Sequence, residues 1–255
     1  MGMLEIFFIL AVLLAVFIVF YRQAIEQYNI LQIEASQLDE LPKLLSERTP
    51  LVLRDIGSPK LFTPDTLKAN ARLQNFPIGN GQTLGTYIQK PNTRVPLTKK
   101  ASSLLAKESG LSVWAEHTWF PRLFQFPFLQ HIHTLNTEAF LGEMGLRKTT
   151  GIVTILYPTS GNLEVTLLTE QQEKCLPKAW RSRFPETFTI QDTPLVGEIK
   201  YITIKLRPGN MLCIPTHWFY SIRVVDKSKP ALWSRITLDN PISYVSSSME
   251  SSLDG

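Results

Sequence analysis

The first twenty-one residues constrain this chain most, because they form an almost unbroken apolar run. Residues 6–21 read IFFILAVLLAVFIVFY and contain no charged or amide side chain, and Glu5 is the one charged side chain before them. A membrane-spanning helix needs about 20 predominantly apolar residues, with a lower limit near 17. Residues 1–21 therefore predict a single transmembrane anchor, with everything after it forming a soluble domain.

A signal peptide and a buried helix both fit the apolar run less well than an anchor does. A cleaved signal peptide has a basic start and a small-x-small cleavage site, whereas this chain begins MGMLE and leaves the run through FYRQA. A buried helix of a globular protein has a polar face, and this run is apolar all round. Arg22 directly follows the run, so the positive-inside rule favours a cytoplasmic position for the domain.

The cysteine content and the net charge indicate in which compartment the domain lies and which kinds of partner it can have. Cys175 and Cys213 are the two cysteines, and no Asn-x-Ser/Thr glycosylation site occurs. Two isolated cysteines give neither a disulfide framework nor a zinc-binding spacing. Together with the lack of a glycosylation site, this favours a domain on the reducing, cytosolic side of the membrane. The 26 basic and 22 acidic residues leave a net charge of +4. A nucleic-acid-binding protein has a denser basic stripe, so we expect no nucleic-acid partner.

The residues after the anchor divide into three parts. Residues 22–45 carry isoleucine and leucine at spacings of three and four, which predicts a juxtamembrane helix or linker. Residues 46–245 form the main domain. Residues 246–255 are rich in serine and are predicted to be a disordered tail.

Capping residues and prolines predict the elements in the first half of the main domain. Thr63, followed by Pro64, opens a short helix, and Thr98 caps a second helix that ends at Gly110. Residues 111–115 have the composition of a strand. Residues 120–140 are rich in aromatic residues and broken by prolines, which indicates a loop followed by a helix.

The second half of the domain is dominated by short strands with alternating apolar residues. The predicted strands cover residues 152–157, 163–168, 199–206, 211–214, 219–225 and 232–238. Turn-forming triplets, SGN at 160–162 and PGN at 208–210, connect them. The pattern predicts a mainly β fold with flanking helices, built as a sandwich or barrel.

Two segments resemble the JmjC-type, cupin-like oxygenases. Residues 206–222 read LRPGNMLCIPTHWFYSI and are similar to the C-terminal motif of that family, L-x-P-G-D-M-L-x-I-P-x-x-W-W-H-S-V; residues 49–54, TPLVLR, are similar to its P-V-V-I-R segment. Residues 140–145 and 160–165 stand where the first core strands of the family fall. The resemblance implies a double-stranded β-helix, the jelly-roll or cupin fold, over residues 43–240.

The same resemblance implies an iron site whose ligands are missing from this chain. Active members bind Fe(II) through H-x-D/E and a second histidine, a facial triad that leaves positions open for 2-oxoglutarate and oxygen. Lys148 and Thr150 occupy the positions of the first pair, and Tyr220 that of the second histidine. By strand alternation Tyr220 points into the barrel, and His217, three residues earlier, faces the other way.

The remaining histidines offer one other metal site. His131 and His133 would lie on one face of a strand, as a pair that His217 could complete. On a helix the two side chains would point about 200° apart and could not chelate.

Two functions therefore follow from the sequence. The first is a membrane-anchored, cupin-like protein without catalytic residues, which binds a protein or small-molecule partner or serves as a structural part, with Lys148, Thr150, His217 and Tyr220 as pocket residues and no metal or cofactor. The alternative is an Fe(II)/2-oxoglutarate-dependent hydroxylase with a non-standard metal site. A sugar- or lipid-binding jelly roll, using the aromatic residues between Trp114 and Phe126, is a third possibility.

Overall fold

The computed structural model of the chain describes residue 12 and residues 30–57, 59–79, 81–91, 94–95, 97–241 and 243. The chain divides into two compact units, Met1–Ile30 and Leu31–Gly255. The predicted anchor at 1–21, apart from Val12, lies outside the described residues, as do residues 22–29 and the predicted tail at 246–255. Among the described residues, no helix has the length and apolar character needed to cross a membrane.

The second unit is built mainly from short strands, with helices in its first half. The strands within the described residues are β1 Leu31–Glu34, β2 Leu51–Arg54, β3 Pro77–Gly79, β4 Gln82–Thr83, β5 Thr134–Leu141, β6 Met144–Lys148, β7 Val153–Ser160, β8 Leu163–Leu168, β9 Ile202–Leu206, β10 Met211–Pro215, β11 Phe219–Val224 and β12 Leu232–Asp239. The described α-helices are α1 Leu41–Ser46, α2 Pro64–Ala69, α3 Ala71–Gln74, α4 Leu84–Gln89, α5 Lys99–Glu108 and α6 Leu111–Thr118. Short 3₁₀ helices complete it, among them Ala35–Glu40, Phe120–Leu123, Pro127–Ile132 and Glu170–Cys175.

The strand order identifies the architecture as a jelly roll. A six-stranded sheet has the order β1-β2-β10-β7-β12-β5, and a four-stranded sheet has the order β6-β11-β8-β9. From β5 to β12 the chain passes back and forth between these two sheets, and every pairing among those strands is antiparallel. This is the double-sheet arrangement found in cupins. The prediction of a mainly β, cupin-like fold with flanking helices is therefore confirmed.

Side-chain alternation divides the large sheet into an apolar outer face and a partly polar inner face. Ile155 of β7, Cys213 of β10 and Ile236 of β12 pack with Trp119 and Leu123 in one hydrophobic cluster on the outer side. A second cluster joins β5 and β12 to the helices α2 to α6. Because successive side chains of a strand point to opposite faces, the alternate residues of these strands face the small sheet and form the barrel interior.

Local capping signals predicted two helices correctly. The Thr63 side chain accepts a hydrogen bond from the Thr66 amide at the start of α2, and the Thr98 side chain accepts one from the Ala101 amide at the start of α5. Gly110 has φ of +80°, a left-handed conformation that glycine adopts without steric cost. It ends the first of two consecutive helices and opens the second.

The predicted helix over residues 22–45 is wrong at Leu31–Glu34, whereas α1 begins within the predicted range, at Leu41. Leu31–Glu34 is a strand that pairs in parallel with Leu51–Arg54. Leu31 and Ile33 are two residues apart, as a strand requires, and both pack against the outer hydrophobic cluster. The partner strand decides the conformation here, since the local sequence also fits a helix.

Two further sequence predictions are corrected. Residues 111–115 belong to the helix α6, because Leu111 and Ala115, four residues apart, are both buried on one face of it. Residues 120–140 form two 3₁₀ helices and then the strand β5, in place of the predicted loop and helix. In β5 the side chains that face the barrel interior are largely polar, so the strand lacks the apolar alternation by which the others were recognised.

Candidate functional site

A cavity of about 400 Å³ opens at one end of the barrel interior. Three residues of β12 that point inward, Arg235, Thr237 and Asp239, line it. Glu138 and Asn136 of β5 also line it, and they lie directly opposite Arg235 and Thr237 in the strand register. Polar residues at alternate positions of two neighbouring strands therefore form a continuous polar wall.

Arg235, Glu138 and Tyr220 form a hydrogen-bonded group in this wall. The Arg235 Nε donates to Glu138 Oε2 over 2.8 Å, its Nη2 donates to the same oxygen, and its Nη1 donates to the Tyr220 hydroxyl over 2.9 Å. The Glu138 side chain is 2% exposed and that of Arg235 is 23% exposed. The group joins both sheets, since Tyr220 comes from β11 of the small sheet.

Aromatic packing and charge hold Arg235 in its ionised form. Its guanidinium carbon lies 5.1 Å from the centre of the Phe140 ring, and that ring stacks on Trp233 at 4.6 Å between centroids. Burial by itself would lower the pKa of Arg235, but the Glu138 carboxylate and the Tyr220 hydroxyl raise that pKa above its ordinary value. The cavity therefore contains a permanent buried cation with a fixed orientation.

The opposite end of the wall carries a second carboxyl group. Asp239 is 3% exposed, and its Oδ1 accepts a hydrogen bond from the Ser243 hydroxyl over 3.1 Å. Burial raises the pKa of Asp239 above its ordinary value, while the charges of Lys99 and Arg235 act against this shift. This part of the cavity therefore disfavours a negative charge on the protein.

The N-terminal turn of α5 borders the mouth of the cavity. Thr98, Lys99 and Ser102 line it from this side. The Ser102 hydroxyl donates to Glu138 Oε1 over 3.4 Å, which links the helix to the Arg235 group. A helix N-terminus carries a partial positive charge, and Lys99 adds a full positive charge to the same edge.

The structure brings three of the four predicted pocket residues to this cavity. Tyr220 points into the barrel as predicted, and Thr150 and Lys148 also line the cavity. The Lys148 ammonium group, however, lies 2.8 Å from Glu173 Oε2 and 3.8 Å from Glu170 Oε1, both on the 3₁₀ helix Glu170–Cys175. Lys148 therefore pairs with an acidic segment outside the polar wall.

His217 lies apart from the cavity. It has φ of +66° and a side chain that is 58% exposed, with its Nδ1 at 3.9 Å from Glu170 Oε1. It is not among the residues that line the cavity. The strand β11 starts two residues later, at Phe219, so His217 is part of the turn before it.

The residues present do not fit an iron site of the facial-triad type. The positions that the resemblance assigns to the ligands hold an ammonium group, a hydroxyl and a phenol, none of which replaces an imidazole or carboxylate ligand of Fe(II). In the described part of the chain, no group of three or more His, Cys, Asp or Glu side chains is placed to hold a metal ion. His131 and His133 lie at the 3₁₀ helix Pro127–Ile132, with each Nδ1 near a backbone oxygen, that of Phe128 at 3.2 Å and that of Leu129 at 2.6 Å.

Sequence reasoning missed Arg235, Glu138 and Asp239. The prediction of a helix before residue 140 hid the alternation of Asn136, Glu138 and Phe140 on one face of β5. The strand at 232–238 was recognised by its apolar residues, and those face outward. The available signal was a run of alternate polar residues, R-x-T-x-D at 235–239, inside a strand.

Comparisons with known proteins give a likeness of fold only. No family model matches the chain, and no curated protein matches it. Among solved structures, the hydroquinone 1,2-dioxygenase of Sphingomonas sp. TTNP3 with 4-hydroxybenzoate bound aligns at 17% identity over 43% of this chain and 61% of that chain, with a TM-score of 0.29. The Drosophila melanogaster CENP-C cupin domain aligns at 18% identity over 40% of this chain and 57% of its own, with a TM-score of 0.25.

A second CENP-C structure, bound to CAL1, aligns at 18% identity over 40% of this chain and 62% of that chain, with a TM-score of 0.25. The chain thus spans about three fifths of the length of the solved structures it matches. Structural similarities with TM-scores this low are not evidence for the function of this chain. The cupin-like architecture rests on the strand order of the chain itself.

Proposed function

We propose that this chain is a membrane-anchored, JmjC-like cupin domain that binds a small anionic ligand in its jelly-roll cavity and catalyses no oxidation. The observation that carries the proposal is the cavity itself. Its lining combines the Arg235 guanidinium with hydroxyl and carboxyl groups, and in the described part of the chain no group of three or more side chains is placed to hold a metal ion.

The charge balance of the cavity supports an anionic ligand. The cavity is lined by four basic side chains, those of Lys99, Arg147, Lys148 and Arg235. It is lined by two carboxyl groups, those of Glu138 and Asp239. Lys148 is directed to Glu173, and the Arg235–Glu138 pair is neutral, so Lys99 and the N-terminus of α5 supply positive charge at the mouth. A region of low dielectric with excess positive charge binds carboxylate or phosphate groups.

Arg235 also keeps hydrogen-bonding capacity for a ligand. A guanidinium group has five N–H donors, and the bonds with Glu138 and Tyr220 employ three of them. Among the described residues the other two have no partner, which leaves a donor on each of the two terminal nitrogens. Two N–H groups of this kind match the two oxygens of a carboxylate or phosphate.

The absence of oxidation is proposed from the chemistry of the side chains present. An Fe(II)/2-oxoglutarate hydroxylase needs imidazole and carboxylate ligands on one side of the metal. Here Lys148, Thr150 and Tyr220 line the cavity, and the Glu138 carboxylate is bonded to Arg235. The membrane attachment through residues 1–21, with the domain on the cytoplasmic side, is part of the same proposal and is supported by the apolar run and Arg22.

The ligand proposal is tested with Lys99 and its neighbour Lys100. Both begin α5, but Lys99 lines the jelly-roll cavity and Lys100 lines a separate groove. Titration calorimetry of the full chain in detergent, with inorganic phosphate, acetate, succinate and 2-oxoglutarate as probes, should show binding of at least one. Lys99→Gln should weaken that binding about tenfold, the effect of losing about 1.4 kcal/mol, and Lys100→Gln should leave it unchanged. Equal effects of the two variants, or no binding of any probe at millimolar concentration, would refute the ligand class.

The proposed lack of oxidation has its own measurements. Metal analysis of the same preparation should find no stoichiometric iron, also after incubation with Fe(II) and removal of the excess. Incubation with Fe(II) and 2-oxoglutarate should release no succinate above a protein-free blank. Stoichiometric iron or turnover of 2-oxoglutarate would overturn this part of the proposal and establish the hydroxylase.

A further inference from the structure

A segment on the surface of the domain is unusually apolar. We propose that this aromatic loop, Phe126–Ile132, inserts into the headgroup region of the membrane to which the N-terminus is attached; the inference rests on the membrane anchor of the proposed function. Phe126 is 53% exposed, Phe128 is 65% exposed and Ile132 is 56% exposed. Single exposed apolar residues are ordinary, but three large ones within seven residues mark an interaction surface.

The backbone of the aromatic loop forms a short helical turn that presents its apolar side chains outward. Residues 127–132 form a 3₁₀ helix, in which the Leu129 amide donates to the Phe126 oxygen over 3.1 Å. The rings of Phe126 and Phe128 stack with centroids 6.0 Å apart. Together the two rings present a preformed apolar tip.

The charge of the surrounding sequence suits an anionic lipid surface. Between Glu116 and Glu138 the chain has no acidic residue, whereas it has the basic residue Arg122. Basic residues are attracted to the anionic headgroups of the cytoplasmic leaflet, and aromatic residues are enriched at the membrane interface. A bilayer surface therefore fits this loop better than an acidic or purely polar protein partner.

The chain length before the domain makes a bilayer the most accessible occupant. Between the end of the predicted anchor at Tyr21 and Leu31 lie nine residues, which span at most about 32 Å when fully extended. Within the domain, Leu31 packs against the same hydrophobic cluster as Phe124, two residues before the loop. With the anchor of the proposed function in place, a tether of this length keeps Leu31 within about 32 Å of the end of the anchor.

The experiment places a polarity-sensitive fluorophore on the aromatic loop. The full chain is reconstituted into nanodiscs of phosphatidylcholine and phosphatidylserine with Phe128→Cys carrying the label NBD. Ile190→Cys and Val225→Cys are the controls, since Ile190 is 73% exposed and Val225 is 51% exposed. Both native cysteines are buried, and burial raises the pKa of the Cys213 thiol to about 12, so folded protein is labelled at the introduced cysteine.

The expected result is a blue-shifted emission at position 128 that is lost when the lipids carry a quenching nitroxide near the headgroup. Positions 190 and 225 should show the emission of the label in water and no quenching by lipid. Water-like emission at 128 would overturn the inference. A blue shift without quenching by the lipid would also overturn it, since the loop would then be covered by a partner protein or by a second copy of the chain.

The anchor is tested separately in the same material. Membranes that contain the full chain are washed with alkaline carbonate, which removes proteins held only at the surface. Loss of the chain in this wash refutes the anchor of the proposed function. Retention of the chain together with water-like emission at 128 refutes the aromatic loop alone.

Discussion

The Arg235–Glu138 pair is the part of this domain where removal of one charge should have the largest effect. Arg235→Met keeps an unbranched apolar side chain at this position and removes the guanidinium. The Glu138 carboxylate, on a side chain that is 2% exposed, would then keep the Ser102 hydroxyl at 3.4 Å as its remaining hydrogen-bond donor among the described residues. Leaving a buried charge without its partner costs about 3–5 kcal/mol, a large fraction of the about 5–15 kcal/mol that stabilises a typical domain.

A double-mutant cycle measures how strongly the two charges depend on each other. Glu138→Leu alone leaves the Arg235 guanidinium without its carboxylate and should also destabilise the domain. The double variant removes both charges and should recover to within about 2 kcal/mol of the wild type, because replacing both members of a buried pair by apolar residues is often close to neutral. The coupling free energy between the two sites should then be at least about 2 kcal/mol.

Urea unfolding followed by tryptophan fluorescence measures these free energies. The signal is suitable because Trp233 stacks on Phe140, the ring that lies under the Arg235 guanidinium. Arg72→Met is the matched control, since Arg72 pairs with Glu108 at the surface with a side chain that is 79% exposed; it should lose at most about 1 kcal/mol. Additive losses in the double variant, or a loss for Arg235→Met no larger than for the control, would refute the reasoning.

Two further predictions follow from the same region and from the packing of the small sheet. Burial raises the pKa of Asp239, and a carboxyl with a raised folded-state pKa contributes stability below its unfolded pKa that is lost as the pH rises through the folded pKa. Asp239→Asn should therefore melt at a higher temperature than the wild type at pH 7, with a difference that shrinks towards pH 4; a lower melting temperature at pH 7 contradicts this. At Gly145 a Cβ would overlap the Ser182 backbone oxygen, while at Gly197 it would meet nothing within 4 Å. Gly145→Ala should destabilise the domain by about 1–3 kcal/mol and Gly197→Ala should not, and equal melting temperatures of the two variants would count against the packing described here.

Strand alternation predicted much of the second half of the domain. All six predicted strands from residue 152 onward coincide with β7 to β12 within three residues at either end. The turns at 160–162 and 208–210 were also predicted, and Gly161 and Gly209 have φ of +78° and +91°. These signals are local, since the alternation and the turn residues are complete within a few neighbouring positions.

The first half was predicted less well because its elements depend on distant partners. Leu31–Glu34 becomes a strand through its parallel pairing with Leu51–Arg54, and its own residues fit a helix equally well. Thr134–Leu141 pairs with Leu232–Asp239, and its inward polar residues match inward polar residues of that partner. A local pattern contains no information about such a partner.

The candidate site shows the same difference between what local sequence patterns indicate and what depends on distant partners. The residue types at Lys148, Thr150 and Tyr220 alone were enough to predict that the iron ligands implied by the resemblance are absent from those positions. The sequence by itself also determined the short strands that form much of the jelly roll. The charged group in the cavity became visible only in the tertiary structure, which joins Arg235 to Glu138, 97 positions away in the chain, and to Tyr220, 15 positions away on the other sheet. The reason is that a buried charge is stabilised by the groups that folding brings around it, and those groups come from three separate strands.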